Sequence, residues 1–168
     1  MKIGIFYGST NGNTAEAASI IQKQFGADLY DVGKLKNGDD LAQYDLLILG
    51  TSTWYDGELQ DDWESFMSHL MKADLEGKKV ALFGLGDQES YSSDFVSGLR
   101  LIYDKVIEKG AHVIGSWEDV GYSYDHSASI IDGKFVGLVL DEENQSDLTS
   151  SRIDAWCKQL ELSLKESA

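Results

Sequence analysis

Leu46-Leu47-Ile48-Leu49-Gly50 is an unbroken apolar run, without the polar–apolar alternation of a strand that faces water on one side. Such a strand is buried on both faces, which puts it at the centre of a parallel sheet covered by helices. Similar runs flank it. Ile3-Gly4-Ile5-Phe6-Tyr7 reads as a buried first strand, Asp28-Leu29-Tyr30-Asp31-Val32 as a short second, and Val80-Ala81-Leu82-Phe83 as the fourth. Between the runs the apolar period becomes helical. Ala18, Ile21 and Phe25 share one face, as do Trp63, Phe66, Met67 and Leu70. Phe95, Leu99, Ile102 and Val106 form a third set, and Ile153, Trp156 and Leu160 a fourth near the end. The fifth strand is interrupted. It begins at His112-Val113-Ile114-Gly115 and resumes at Phe135-Val136-Gly137-Leu138-Val139-Leu140. The Gly-, Tyr-, Ser- and Asp-rich segment from Glu118 to Lys134 reads as an insertion between the two halves. Five strands alternating with helices predict a doubly wound parallel α/β sheet. One domain over residues 1–168 is expected, with its ligand beyond the carboxyl ends of the strands.

Charge narrows the partners. The formal net charge is −15, from 29 acidic and 14 basic side chains. Such a surface repels nucleic acid phosphates and anionic membranes and speeds encounter with basic proteins. The same charge also serves solubility, and both readings stay open. Cys157 is the only cysteine, so no internal disulfide forms and a reducing, cytoplasmic setting is expected. No stretch approaches the apolar length of a membrane span, and the N-terminus lacks the apolar core of a signal peptide. The chain has no proline, which leaves its 17 glycines to make most turns.

Three turns carry the chemistry. Gly8-Ser9-Thr10-Asn11-Gly12-Asn13-Thr14 follows the first strand and opens a helix. Glycines and small hydroxyl residues let backbone N–H groups converge on an anion, and the helix N-terminus adds partial positive charge. No Lys or Arg lies in the turn, so a phosphate there is held by dipoles alone. A plain polar strand-to-helix turn with an N-cap is the other reading of this stretch. It is not a Walker loop, which ends in Gly-Lys-Ser/Thr. The second turn, Gly50-Thr51-Ser52-Thr53-Trp54-Tyr55-Asp56-Gly57-Glu58, follows the third strand. The third, Gly84-Leu85-Gly86-Asp87-Gln88-Glu89-Ser90-Tyr91, follows the fourth. Each brings an aromatic ring to the same sheet edge, and two rings can sandwich a flat heterocycle.

Tyr7 through Thr14 resembles the phosphate loop of the flavodoxins. Thr53-Trp54 and Gly86-Asp87-Gln88 with Tyr91 look like that family's two loops around the isoalloxazine ring. Asn144-Gln145-Ser146-Asp147-Leu148-Thr149 is similar to its long-chain branch, and the interrupted fifth strand is the mark of that branch. The resemblance covers essentially the whole chain. It implies a flavodoxin-like sheet of order 2-1-3-4-5, for which flavodoxin is itself a reference case. It also implies a non-covalently bound FMN. Ser9, Thr10, Asn11, Gly12, Asn13 and Thr14 would hold the phosphate. Trp54 would cover the inner face and Tyr91 the outer, with Ser52 and Thr53 also among the cofactor-binding residues. Tyr55, Asp56 and Gly57 would lie near flavin N5, and Leu85, Gly86 and Asp87 at the pyrimidine edge. Two positions depart from the family. Asn11 stands where many relatives have threonine, and Ser52 where they often have proline.

The function implied is a low-potential one-electron carrier, an electron-transfer protein rather than an enzyme, cycling its FMN between semiquinone and hydroquinone. The Tyr55 carbonyl is the expected acceptor for a protonated N5. The partners implied are basic redox proteins, a flavodoxin reductase and acceptor enzymes. Glu58, Asp61, Asp62 and Glu64 are a candidate docking rim on a monomer, although carboxylates also complement a helix N-terminus. No metal site is expected, since His69, His112 and His126 lack ligand spacing, and Cys157 reads as a core residue. One alternative is an FMN-dependent NAD(P)H or quinone oxidoreductase, against which the covering Tyr91 argues. A phosphoacceptor domain is the other. It would need carboxylates after the first strand and an aspartate ending the third, where this chain has Tyr7-Gly8-Ser9 and Gly50-Thr51.

Overall fold

The computed structural model describes residues 1–166, so the last two residues of the expected domain lie outside the described residues. Strands β1 (Ile3–Tyr7), β2 (Asp28–Asp31) and β3 (Leu46–Trp54) come first, with helix α1 (Asn13–Phe25) after β1. A short β4 (Glu58–Leu59) folds back on β3 and leads into α2 (Asp61–Lys72). Then come β5 (Lys79–Leu85), α3 (Gly98–Glu108) and β6 (His112–Ile114). Three short strands follow, β7 (Trp117–Glu118), β8 (Ile130–Ile131) and β9 (Lys134–Phe135), before β10 (Leu138–Leu140) and α4 (Thr149–Glu166).

The main sheet runs β2-β1-β3-β5-β10, with β6 also paired to β5. β6 pairs in parallel with Lys79 to Ala81, and β10 with Phe83 to Leu85. The two lie end to end along the free edge of β5 and together make the fifth strand, which yields the order 2-1-3-4-5. The interruption is real, but the strand resumes later than the sequence suggests. Phe135 belongs to β9, in a separate antiparallel sheet of order β7-β9-β8. The chain rejoins the main sheet only after Gly137, where any Cβ would collide with the Leu82 carbonyl oxygen. Only glycine can pass that close to β5.

The central run owes its lack of alternation to two cores. Leu47 and Leu49 pack on one face with Trp63, Phe66 and Leu70 of α2 and Leu99, Ile102 and Val106 of α3. Leu46 and Ile48 pack on the other with Ala17, Ala18 and Ile21 of α1 and Ile153, Trp156 and Leu160 of α4. Side chains alternate along a strand, and here both directions meet a helix layer. Phe95 is fully buried but precedes α3. It joins Val96, Phe135 and Val139 in a third cluster beneath the inserted strands.

The register aligns the functional edge. Tyr7 pairs with Gly50, and Ser52 and Leu140 both pair with Leu85. The chain therefore leaves β1, β3, β5 and β10 on one rim. The order reverses between β1 and β3, where a crevice opens in sheets of this kind.

Candidate functional site

The turn after β1 is built mostly from its own residues. Ser9 Oγ accepts hydrogen bonds from Gly12 N (3.1 Å) and Ala15 N (3.4 Å), and Asn11 Oδ1 accepts one from Asn13 N (3.1 Å). Gly12 precedes α1 with φ 92°, a left-handed value that suits glycine, and has no side chain of its own to cap the helix. One stitch comes from afar. Gln60, 1% exposed, donates from Nε2 to Thr10 Oγ1 (3.2 Å), while its Oε1 accepts from Trp63 N (3.2 Å) and caps α2. Trp63 in turn donates from Nε1 to Gly50 O (2.6 Å), fastening α2 to the end of the central strand. One polar group of the turn is left over. Thr14 Oγ1 is buried and has no hydrogen-bond partner. A buried unsatisfied hydroxyl costs about 1–3 kcal/mol.

The end of β3 presents Trp54. Its Nε1 donates to Ser52 Oγ (2.8 Å), which holds the indole against its own strand. Thr53 Oγ1 accepts from Gly98 N (2.9 Å) at the start of α3. The hairpin turn to β4 contains two left-handed residues, Tyr55 (φ 50°) and Gly57 (φ 85°). Tyr55 and Asp56 project into solvent.

The turn after β5 is shaped by Asp87. Its Oδ1 accepts from Ser90 N (2.9 Å), Glu89 N (3.2 Å) and Asn144 Nδ2 (2.8 Å). Burial pushes this carboxyl up, but the hydrogen bonds, led by that from Ser90, outweigh it and hold the group below its ordinary value. Tyr91 N bonds to Asp87 O (2.9 Å), and the Tyr91 ring is 38% exposed at the rim.

These three turns meet along one open cleft. The first contributes Asn11, Asn13 and Thr14, the second Ser52, Thr53 and Trp54, and the third Leu85, Gly86, Asp87 and Tyr91. Ser9, Thr10 and Gly12 shape the first turn without lining the cleft, and Tyr55, Asp56 and Gly57 lie in the hairpin beside it. Glu142 and Glu143, just after β10, also line it. Sequence reading passed over both, along with Gln60, because lone polar residues carry no spacing signal.

The flavodoxin family profile matches residues 5–156. The chain belongs to the flavodoxin family.

Flavodoxin 1 of Escherichia coli (strain K12) is 46% identical over 169 residues, covering 97% of this chain and 96% of that protein. The flavodoxin of Synechocystis sp. is 43% identical over 163 residues, covering 95% of each. The crystal structure of Fusobacterium nucleatum flavodoxin bound to flavin mononucleotide superposes with a TM-score of 0.90 at 34% identity, covering 96% of this chain and 98% of that one.

For this flavodoxin the remaining reactive groups lie away from the cleft. Cys157 is buried in α4 among core residues. Burial, then the carboxylates of Glu161 and Asp154, push its thiol up to about 12. Among the described residues no three His, Cys, Asp or Glu side chains gather as metal ligands, and no helix is long and apolar enough to cross a membrane. The acidic rim opens α2. Glu58, Asp61 and Glu64 are exposed, while Asp62 is half-buried and accepts from Gln60 Nε2 (3.0 Å).

Proposed function

We propose that this chain is a long-chain flavodoxin that binds one FMN in the cleft and carries single electrons between redox proteins, with no substrate of its own. The observation that carries the reading is the orphaned Thr14 hydroxyl. It belongs to a residue in the first turn of α1 that lines the cleft, no cation among the described residues lines that cleft, and a phosphomonoester is the partner we infer for it. Residues Ser9 to Thr14 bind that phosphate with N–H and O–H dipoles. Trp54 and Tyr91 flank the ring and shed water from it. Leu85, Gly86 and Asp87 meet its pyrimidine edge. When bound, FMN supplies the one-electron chemistry.

The protein's own part is orientation and charge. The Tyr55–Gly57 turn already holds two left-handed residues, so its peptide groups can turn a carbonyl inward. The Tyr55 carbonyl would then accept a hydrogen bond from a protonated N5. Asp87, Glu142 and Glu143 on the cleft, with a net charge of −15, disfavour added negative charge and set a low potential for the second electron. Residues 1–168 act as one FMN-binding unit in a cytoplasmic monomer. Its partners are a reductase and acceptor enzymes with basic faces, docking on Glu58, Asp61, Asp62 and Glu64.

Titration of apoprotein with FMN, followed by stepwise reduction under visible spectroscopy, tests the reading. The expected result is a one-to-one yellow complex that passes through a blue neutral one-electron form and is not bleached by NADPH alone. Riboflavin binding as tightly as FMN would sink the phosphate assignment. For the docking rim, electron-transfer rates with a basic partner should fall steeply between low and physiological salt. A flat profile would leave the carboxylates as helix-end complements only.

A further inference from the structure

Asp141 has no exposed surface, yet it is a carboxylate at the end of β10, between the functional rim and the inserted strands. Five N–H bonds converge on it. Oδ1 accepts from Glu143 N (3.1 Å) and Asn144 N (3.1 Å). Oδ2 accepts from Gln88 N (3.0 Å), Gln88 Nε2 (2.7 Å) and Asn144 Nδ2 (2.9 Å). We propose that Asp141 is a positioning residue for the flavin ring: it holds the Leu85–Tyr91 turn in its binding shape and leaves a fixed negative charge behind the ring's edge. This rests on the FMN reading above.

Three connections carry the idea. Asn144 Nδ2 donates both to Asp141 and to Asp87 Oδ1 (2.8 Å), so one amide fixes the carboxylate that shapes the ring turn. Gln88, gripped twice by Asp141, turns its Oε1 to Ser123 N (2.7 Å), so the same hub fastens the insertion to the turn. Glu142 and Glu143, the next two residues, line the cleft, and Gly86 N bonds to the carbonyl of Leu140 just before (3.1 Å). Every bond on Asp141 therefore ends in the ring turn or in the segment facing it, and none reaches the phosphate turn. The donor set also demands a carboxylate. Five N–H groups face two oxygens, and an asparagine would aim an NH2 at some of them.

The test pairs Asp141→Asn with Thr14→Val and measures dissociation constants for both FMN and riboflavin. Asp141→Asn should weaken both ligands by the same factor, about tenfold, and shift the second-electron potential of the FMN complex to a less negative value. Thr14→Val should weaken FMN alone. In the apoprotein, Asp141→Asn should speed hydrogen exchange at Gln88 N and Ser123 N and leave Gly12 N unchanged. Unaltered riboflavin affinity, or a loss confined to FMN, overturns the proposal. Wild-type protein that ignores FMN overturns the cofactor reading instead. Should Asp141→Asn not fold, Asn144→Ala removes an exposed bridge and keeps the buried carboxylate. It should still weaken riboflavin severalfold, and an unchanged value counts against the hub.

Discussion

Two turns leave the same rim of the sheet and differ in how much of the chain holds them. The Ser9–Thr14 turn is tied mainly to itself, through Ser9 to Gly12 and Ala15 and through Asn11 to Asn13, with Gln60 as its single distant stitch. The Leu85–Tyr91 turn is also tied to itself, through Asp87 to Glu89, Ser90 and Tyr91, but several partners far along the chain hold it as well, namely Asp141, Asn144, Ser123 and the carbonyl of Leu140. A self-tied turn keeps its shape as a unit, which on the proposed reading suits a preformed anion site. A turn held from outside has its shape decided by whatever packs behind it, and on the proposed reading that is where potential and ring affinity are adjusted.

The sharpest way to separate the two is Thr14→Val. It removes the buried unpartnered hydroxyl, which on the proposed reading makes a bond to a charged group worth about 1.5–3 kcal/mol. FMN affinity should drop roughly 10- to 100-fold by calorimetry. The apoprotein should unfold at the same urea concentration or higher, since a buried orphan has gone. Next comes Gly86→Ala in the other turn. A Cβ there would lie 2.9 Å from Val96 Cγ1 and 3.1 Å from Phe95 Cδ1, against buried side chains with little room to yield. Overpacking of this kind costs roughly 1–3 kcal/mol. It should lower the urea midpoint and weaken riboflavin as much as FMN.

Gln60→Ala attacks the distant stitch on the turn after β1. It strips the cap from α2, a loss of about 1 kcal/mol, and frees Thr10. The urea midpoint should fall at constant slope, with FMN affinity reduced less than by Thr14→Val. The smallest effect concerns acid. Asp87 titrates lower in the folded protein than its ordinary carboxylate value. Its contribution is therefore present above about pH 4 and disappears as pH falls through the depressed value. Riboflavin affinity should decline over that window in the wild type, and Asp87→Asn should flatten the decline. An equal decline in both proteins would assign the acid effect to another carboxylate.

The same contrast explains what could be read from the chain alone. The central strand, the helix faces and the phosphate turn are contiguous patterns. A strand's burial is written in its own residues, and an anion-binding turn needs only glycine, small hydroxyls and a helix start. Trp54 and Tyr91 were legible as rings at strand ends. Phe135 was misjudged because an apolar run does not say which sheet it joins; the close pass at Gly137 decides that. Phe95 sat at helical spacing from Leu99, yet it belongs to the core beneath the insertion.

Sequence by itself determined the layer order, the rim on which the turns gather and the donor groups of the turn after β1, because each depends on neighbours a few residues apart. Only the tertiary structure decided that Thr14 Oγ1 is left without a partner, that Glu142 and Glu143 reach the cleft, and that Asp141 grips Gln88 across 53 positions of sequence. A hydrogen bond between distant residues leaves no period in the chain. It exists only once two strands have paired and brought their ends to one edge.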